Sequence, residues 1–179
     1  MLFAAVVIPI VRSEDPTIVF VRRADHLRRN PGQIAFPGGV IDASDSGARE
    51  AALREFEDEL GLPRERVEIF ARLDDVVTLS LSVTVTPFVG TIDPPVDFTC
   101  DENETADVHE IPLRAIYERG ALHRGIECVV HDGMRYDVPT WLIDHAGIHI
   151  WGATARMLRA LVVRYPTIEA LTSAPLEKG

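Results

Sequence analysis

Apolar residues fall along this chain in continuous, alternating and helical runs, each predicting a different element. Leu2 to Val11 is apolar nearly throughout; at about ten residues it is too short to cross a bilayer and lacks a basic start or small-residue cleavage site, so it reads as the first strand. Residues 82–91 alternate and are rich in Val and Thr, the mark of a half-buried strand, which Asp93-Pro94-Pro95 ends. Further strands are expected near 17–22, 33–36, 66–75, 107–112 and 126–138, with the first over 3–11. Helices are expected near 46–60, 112–118 and 151–164. The last would pack Ala155, Leu158, Leu161 and Val162 on one face, with Trp151 and Met157 serving the core. With no repeat or low-complexity segment, a single domain over 1–164 is expected, followed by a peripheral tail over 165–179.

The helix over 46–60 carries the chemistry. Ala52, Leu53, Phe56 and Leu60 group on one arc, while Glu55, Asp58 and Glu59, at i, i+3 and i+4, share an arc of roughly 100° beside it. Glu57 points away from both. Ser44, Asp45 and Ser46 offer N-cap chemistry, and Gly61 with Pro63 supplies the stop. Three carboxylates this close raise each other's pKa, a cost that an oxygen-loving Mg²⁺ or Mn²⁺ removes. The plainer reading is a solvated helix face in a chain with 28 acidic residues.

What separates the two readings is the company the acids keep. Phe36-Pro37-Gly38-Gly39 precedes the helix, and Arg54-Glu55-Phe56-Glu57-Asp58-Glu59-Leu60-Gly61-Leu62 lies on it. Together they resemble the box of the Nudix hydrolase family, G-x5-E-x7-R-E-U-x-E-E-x-G-U, where U is a bulky apolar residue. Asp45 stands where the box glutamate would, Asp58 replaces a glutamate, and eight residues rather than seven separate Asp45 from Arg54. The resemblance implies a mixed β-sheet in an α/β/α sandwich, the Nudix fold. It implies Gly39, Glu55, Asp58, Glu59 and Glu104 as metal contacts, and Arg54, Glu55, Glu59 and Glu104 as catalytic groups. Arg54 would orient Glu55 through loop carbonyls or a shared water, since adjacent helical residues do not face each other. Glu104, in the acidic loop before the strand His109-Glu110-Ile111-Pro112, is the expected contributor outside the helix, with Glu102 the fallback and an ordinary acidic surface loop the plainer reading; the base is either Glu104 or a helix carboxylate.

The lengthened loop resembles that of the coenzyme A pyrophosphatase branch. That branch carries an upstream motif matched here by Val19-Phe20-Val21-Arg22-Arg23-Ala24, then Leu27-Arg28, then Gly32-Gln33-Ile34-Ala35-Phe36-Pro37-Gly38-Gly39. Ile150 to Arg156 resembles a further segment of it. The likeness spans most of residues 3–163. It implies Arg22, Arg23, Arg28, Gly32, Gln33, Phe36, Gly38 and Gly39 as substrate contacts. The implied reaction is hydrolysis of coenzyme A or its thioesters to 3′,5′-ADP and 4′-phosphopantetheine or its acyl form. Other nucleoside diphosphate derivatives (ADP-ribose, dinucleotides, nucleoside triphosphates) are the alternative within enzymes. A nucleotide-binding protein without turnover is the alternative outside them.

Charge sharpens the picture. Against a net charge of −10, Arg22, Arg23, Arg28 and Arg29 form a basic patch, and the guanidinium fork suits phosphate oxygens. The negative balance, with no sustained basic face, argues against a nucleic-acid polymer as partner. No membrane partner is expected, and the oligomeric state is open. Cys100 and Cys128 have no metal or redox spacing and are expected as buried thiols in a reducing compartment, which makes the expected location cytoplasmic. The six histidines show no paired-ligand spacing.

Overall fold

A computed structural model describes residues 2–27, 30–78, 82–131 and 133–175. The central strand is β1 (Leu2–Val11), and its apolar run is continuous because both of its faces are covered. Ala4, Val6, Ile8 and Ile10 belong to one core cluster, whereas Ala5, Val7 and Val11 belong to another. The next strand, β2 (Thr17–Arg23), divides likewise, with Ile18 and Phe20 on the first side and Val19 and Val21 on the second.

The strand β3 (Ile34–Ala35) pairs with β2, and β4 (Gly38–Val40) pairs antiparallel with residues 4–6 of β1. Helix α1 (Ala48–Leu60) covers the second side through Ala51, Ala52, Phe56 and Leu60. Then come β5 (Val67–Arg72), β6 (Val76–Val77) and β7 (Val83–Ile92). Along its whole length β7 pairs parallel with β1, from Leu2↔Val83 to Val11↔Ile92, and β5 and β6 pair antiparallel with β7. β8 (Thr105–Pro112) returns antiparallel to β2 and leads into the short α2 (Leu113–Tyr117).

A second, three-stranded sheet follows: β9 (His123–His131), β10 (Met134–His145) and β11 (Ile148–Trp151). Helix α3 (Gly152–Arg164) closes the first side of the large sheet with Ala155, Met157, Leu158 and Leu161. A mixed sheet therefore lies between α1 and α3, the sandwich expected from sequence. None of the described helices is long and apolar enough to cross a membrane.

Several boundaries differ from expectation. The strand expected over 66–75 stops at Arg72, where Arg72 pairs with Asp75 across a turn before β6 begins. The strand expected over 126–138 is a hairpin of two strands that together run from His123 to His145, and β11 was not anticipated. Helix α1 starts at Ala48 with Gly47 as its cap and no side-chain capping bond, so the expected cap from Ser44, Asp45 or Ser46 is not formed. Asp45 is engaged elsewhere, as described below. The segment after Arg164, expected to be peripheral, forms α4 (Ile168–Thr172), and Leu171 is buried in the main core. The Tyr117 hydroxyl also donates to the Tyr165 carbonyl at 2.8 Å. The cysteines are free, but Cys128 is exposed on β9 rather than buried.

Candidate metal centre

The large sheet brings three carboxylates together: one oxygen each from Glu55, Glu59 and Glu104 lies within 4.8 Å of the others. Glu59 is the buried member, 3% exposed. Its Oε2 accepts the Gly38 N–H at 2.9 Å. Burial pushes its pKa up to about 8; the Gly38 N–H and nearby Arg23 oppose the rise, and Glu55 and Glu104 add to it. Glu55 is half-buried, and burial raises its pKa too, against the pull of Arg54. Glu104 is exposed. Its loop is fastened to the end of β2, where the Ala24 N–H donates to the Glu104 carbonyl at 2.9 Å.

The double glycine makes this approach possible. A Cβ on Gly39 would stand 2.5 Å from the Glu55 carboxyl carbon, and one on Gly38 would overlap the Ala5 carbonyl. Glycine is needed at Gly38 because the β1 backbone lies directly against it, and at Gly39 a Cβ would push the Glu55 carboxylate out of its place.

Arg54 touches Glu55 directly, its Nη1 donating to Oε1 at 2.7 Å. This corrects the expectation of contact through loop carbonyls or water, although a weak bond to the Val40 carbonyl at 3.4 Å also exists. The reason is Asp45. Its two carboxylate oxygens accept from Arg54 Nε and Nη2, each at 3.0 Å, with the Asp45 side chain 3% exposed. That fork holds one edge of the guanidinium and bends the long side chain back over its neighbour. Asp45, at the box-glutamate offset, thus anchors Arg54, and the Arg54 guanidinium holds the Asp45 carboxyl below the usual carboxylate range. Asp58 stands apart from the carboxylate group, 63% exposed and 3.9 Å from Arg54 Nη1.

The expected substrate contacts scatter more widely. Arg22 is held by Asp25 at 2.8 and 3.3 Å. Arg23 follows a bulge in the β2–β8 ladder and is close enough to favour the charged form of Glu59. The Gly32 N–H donates to the Arg23 carbonyl at 3.1 Å. Phe36 is in the core, its ring stacked on Phe20 at 4.9 Å, and not in the cleft. Arg28 lies outside the described residues. Sequence reasoning did not anticipate that the two segments resembling the coenzyme A branch meet: Thr154 Oγ1 donates to the Ile34 carbonyl at 3.2 Å. Gln33 Nε2 lies 3.7 Å from where a Cβ on Gly152 would be.

The donor set fits a divalent cation. All three ligating groups offer oxygen, and one is buried where its charge is unfavourable without a positive partner. The Nudix domain pattern matches residues 1–131, and the chain belongs to the Nudix family. Among its relatives is NudL of Enterobacter sp. (strain 638), named an uncharacterized Nudix hydrolase, 38% identical over 90% of this chain and 81% of that protein. NudL of Salmonella newport (strain SL254) is 37% identical with the same coverage. Among solved structures, the Nudix hydrolase RenU of M. smegmatis superposes with a TM-score of 0.60 at 17% identity, over 99% of this chain and 90% of that one. An Ap4A hydrolase of C. elegans gives 0.53 at 16% identity, over 62% and 80%. At such identities these two likenesses concern the fold.

Proposed function

We propose that the protein hydrolyses the diphosphate of coenzyme A or its thioesters, giving 3′,5′-ADP and 4′-phosphopantetheine or its acyl form. The observation that carries the hydrolytic reading is the convergence of Glu55, Glu59 and Glu104 over Gly38 and Gly39. Support for the coenzyme A reading comes from the upstream motif and from its contact with the segment Ile150–Arg156 through Thr154 and Gln33.

In this reading Glu55, Glu59 and Glu104 hold Mg²⁺ or Mn²⁺, which when bound offsets charge building on the phosphate oxygens. Arg54, fixed by Asp45, locks the Glu55 carboxylate in one orientation. The Gly38 N–H does the same for Glu59. Arg23 supplies positive charge beside the carboxylates, where a diphosphate must approach. Glu104, the exposed member, orients the attacking water and takes its proton at a carboxylate oxygen. Asp58 remains outside this set.

The test is a panel of coenzyme A, acetyl-coenzyme A, ADP-ribose, NADH and nucleoside triphosphates with Mg²⁺ or Mn²⁺, products identified by mass. Formation of 3′,5′-ADP from the coenzyme A samples, abolished by a chelator, is expected. Cleavage confined to the other nucleotides would discard the coenzyme A reading while keeping the hydrolytic one.

A further inference from the structure

We propose that a pocket between β9, β10 and α3 is a second anion site that takes a phosphate monoester. It lies on the α3 side of the large sheet, shares no residue with the carboxylate centre, and has a volume of about 350 Å³. Pockets that hold small ligands begin near this size.

Three arginines line it: Arg124 from β9, and Arg156 and Arg159 from successive turns of α3. Trp141 on β10 sits directly across the strand pair from Arg124. The Arg124 guanidinium is 5.5 Å and that of Arg159 4.9 Å from the Trp141 ring centre. Arg156 is anchored differently, its Nη1 donating to the Val77 carbonyl at 2.6 Å.

The absence of acids is the telling feature. Arg12, Arg22, Arg54, Arg64, Arg72 and Arg114 each pair with a carboxylate. The chain has 28 acidic residues against 18 basic ones, so carboxylates are plentiful. Arg124, Arg156 and Arg159 pair with none among the described residues; Arg49, Arg66, Arg119 and Arg135 share that property, but Arg124, Arg156 and Arg159 are gathered in one pocket whose lining holds no acid. A guanidinium lying on an indole is held in place while its N–H edge stays free for a second partner. Two such cations, with Arg156 beside them, concentrate positive charge in one pocket on a chain of net −10. A dianion with several acceptor oxygens, which a phosphate monoester is, matches that donor set better than a single carboxylate.

The pocket is tested without reference to turnover, so failure here and failure of the hydrolytic reading are separable. The full-length protein, with Mg²⁺ present and carrying Trp151→Phe so that Trp141 is its remaining tryptophan, is titrated with inorganic phosphate while indole emission is recorded. A saturable change is expected. Arg124→Gln or Arg159→Gln alone should weaken it ~10-fold each, the scale of one charge-assisted hydrogen bond, and the pair together should remove it. Both side chains are exposed, so the fold should survive, which an unchanged Tm would verify. No saturable change in the starting protein, or one that persists in the double variant, overturns the proposal.

The source of the phosphate is read from KM in the same double variant. A higher KM only for diphosphate substrates that bear an additional phosphate monoester would mean that the pocket holds the remote end of the substrate. Unchanged KM throughout, with phosphate binding lost, would mean that it holds a separate phosphorylated molecule.

Discussion

Glu59 combines deep burial with a carboxylate, and among the described residues its one hydrogen-bond donor is a backbone N–H, from Gly38. Its folded pKa of about 8 lies above the ordinary value of 4.5. Between those values the folded metal-free chain keeps a proton that the unfolded chain has released. Stability of the chelated protein should therefore fall as pH rises through that window. Melting temperatures of chelated protein at pH 5 and pH 8 will show a drop that Glu59→Gln flattens; an equal slope in that variant would contradict the assignment. Added Mg²⁺ should raise the melting temperature most at the alkaline end, because binding displaces the proton. Glu55 and Glu59 were legible in the sequence because a helix fixes which residues share an arc. The part played by Asp45 was not. Its charge was visible, but only the folded loop reveals that its fork goes to Arg54, and that this lets Arg54 reach its neighbour.

The elements were legible where one periodicity ran long enough. β1, β2, β7, α1 and α3 all lie close to their expected bounds. The hairpins failed because their turns are short. β9 and β10 pair up to His131↔Met134, and the Asp-Gly dipeptide that the sequence places between them is a strong hairpin signal that the sequence reading passed over. β10 and β11 meet at Ala146-Gly147, both with positive φ, 49° and 81°. A turn of that kind usually carries Asn or Asp first, and alanine hides it. The end of α1 is more plainly written. Gly61 takes a left-handed φ of 66°, its N–H capping the Glu57 carbonyl. A Cβ there would also press on Thr99. Gly61→Ala should accordingly cost more than about 1 kcal/mol, the usual scale of left-handed strain in alanine. Urea unfolding checks this, with a midpoint indistinguishable from the starting protein as the contrary result.

At the scale of the whole molecule, the last described helix is part of the body that the large sheet organises. Leu171 is 1% exposed and belongs to the same core cluster as Phe20 and Leu158. Leu171→Ala should destabilise the protein by roughly 2–5 kcal/mol, as for other buried leucines. A loss below about 0.5 kcal/mol, the range of ordinary surface changes, would mean that the tail is peripheral after all. Local polarity concealed this helix, since one buried leucine among exposed neighbours leaves little periodicity to read. Charge is also divided across the sandwich, with carboxylates gathered beside α1 and Arg124, Arg156 and Arg159, which have no carboxylate partner among the described residues, beside α3. Net charge alone, at −10, gave no hint of that division.

The central claim is that Glu55, Glu59 and Glu104 form one metal-holding group that drives diphosphate cleavage. The most direct measurement compares turnover of the preferred panel substrate at saturating Mg²⁺ for the starting protein and for Glu59→Gln, with Tm recorded alongside. A loss of at least ~100-fold with the fold intact is predicted, the scale of removing one electrostatic group from such a site. Near-unchanged turnover in a folded Glu59→Gln variant would contradict it.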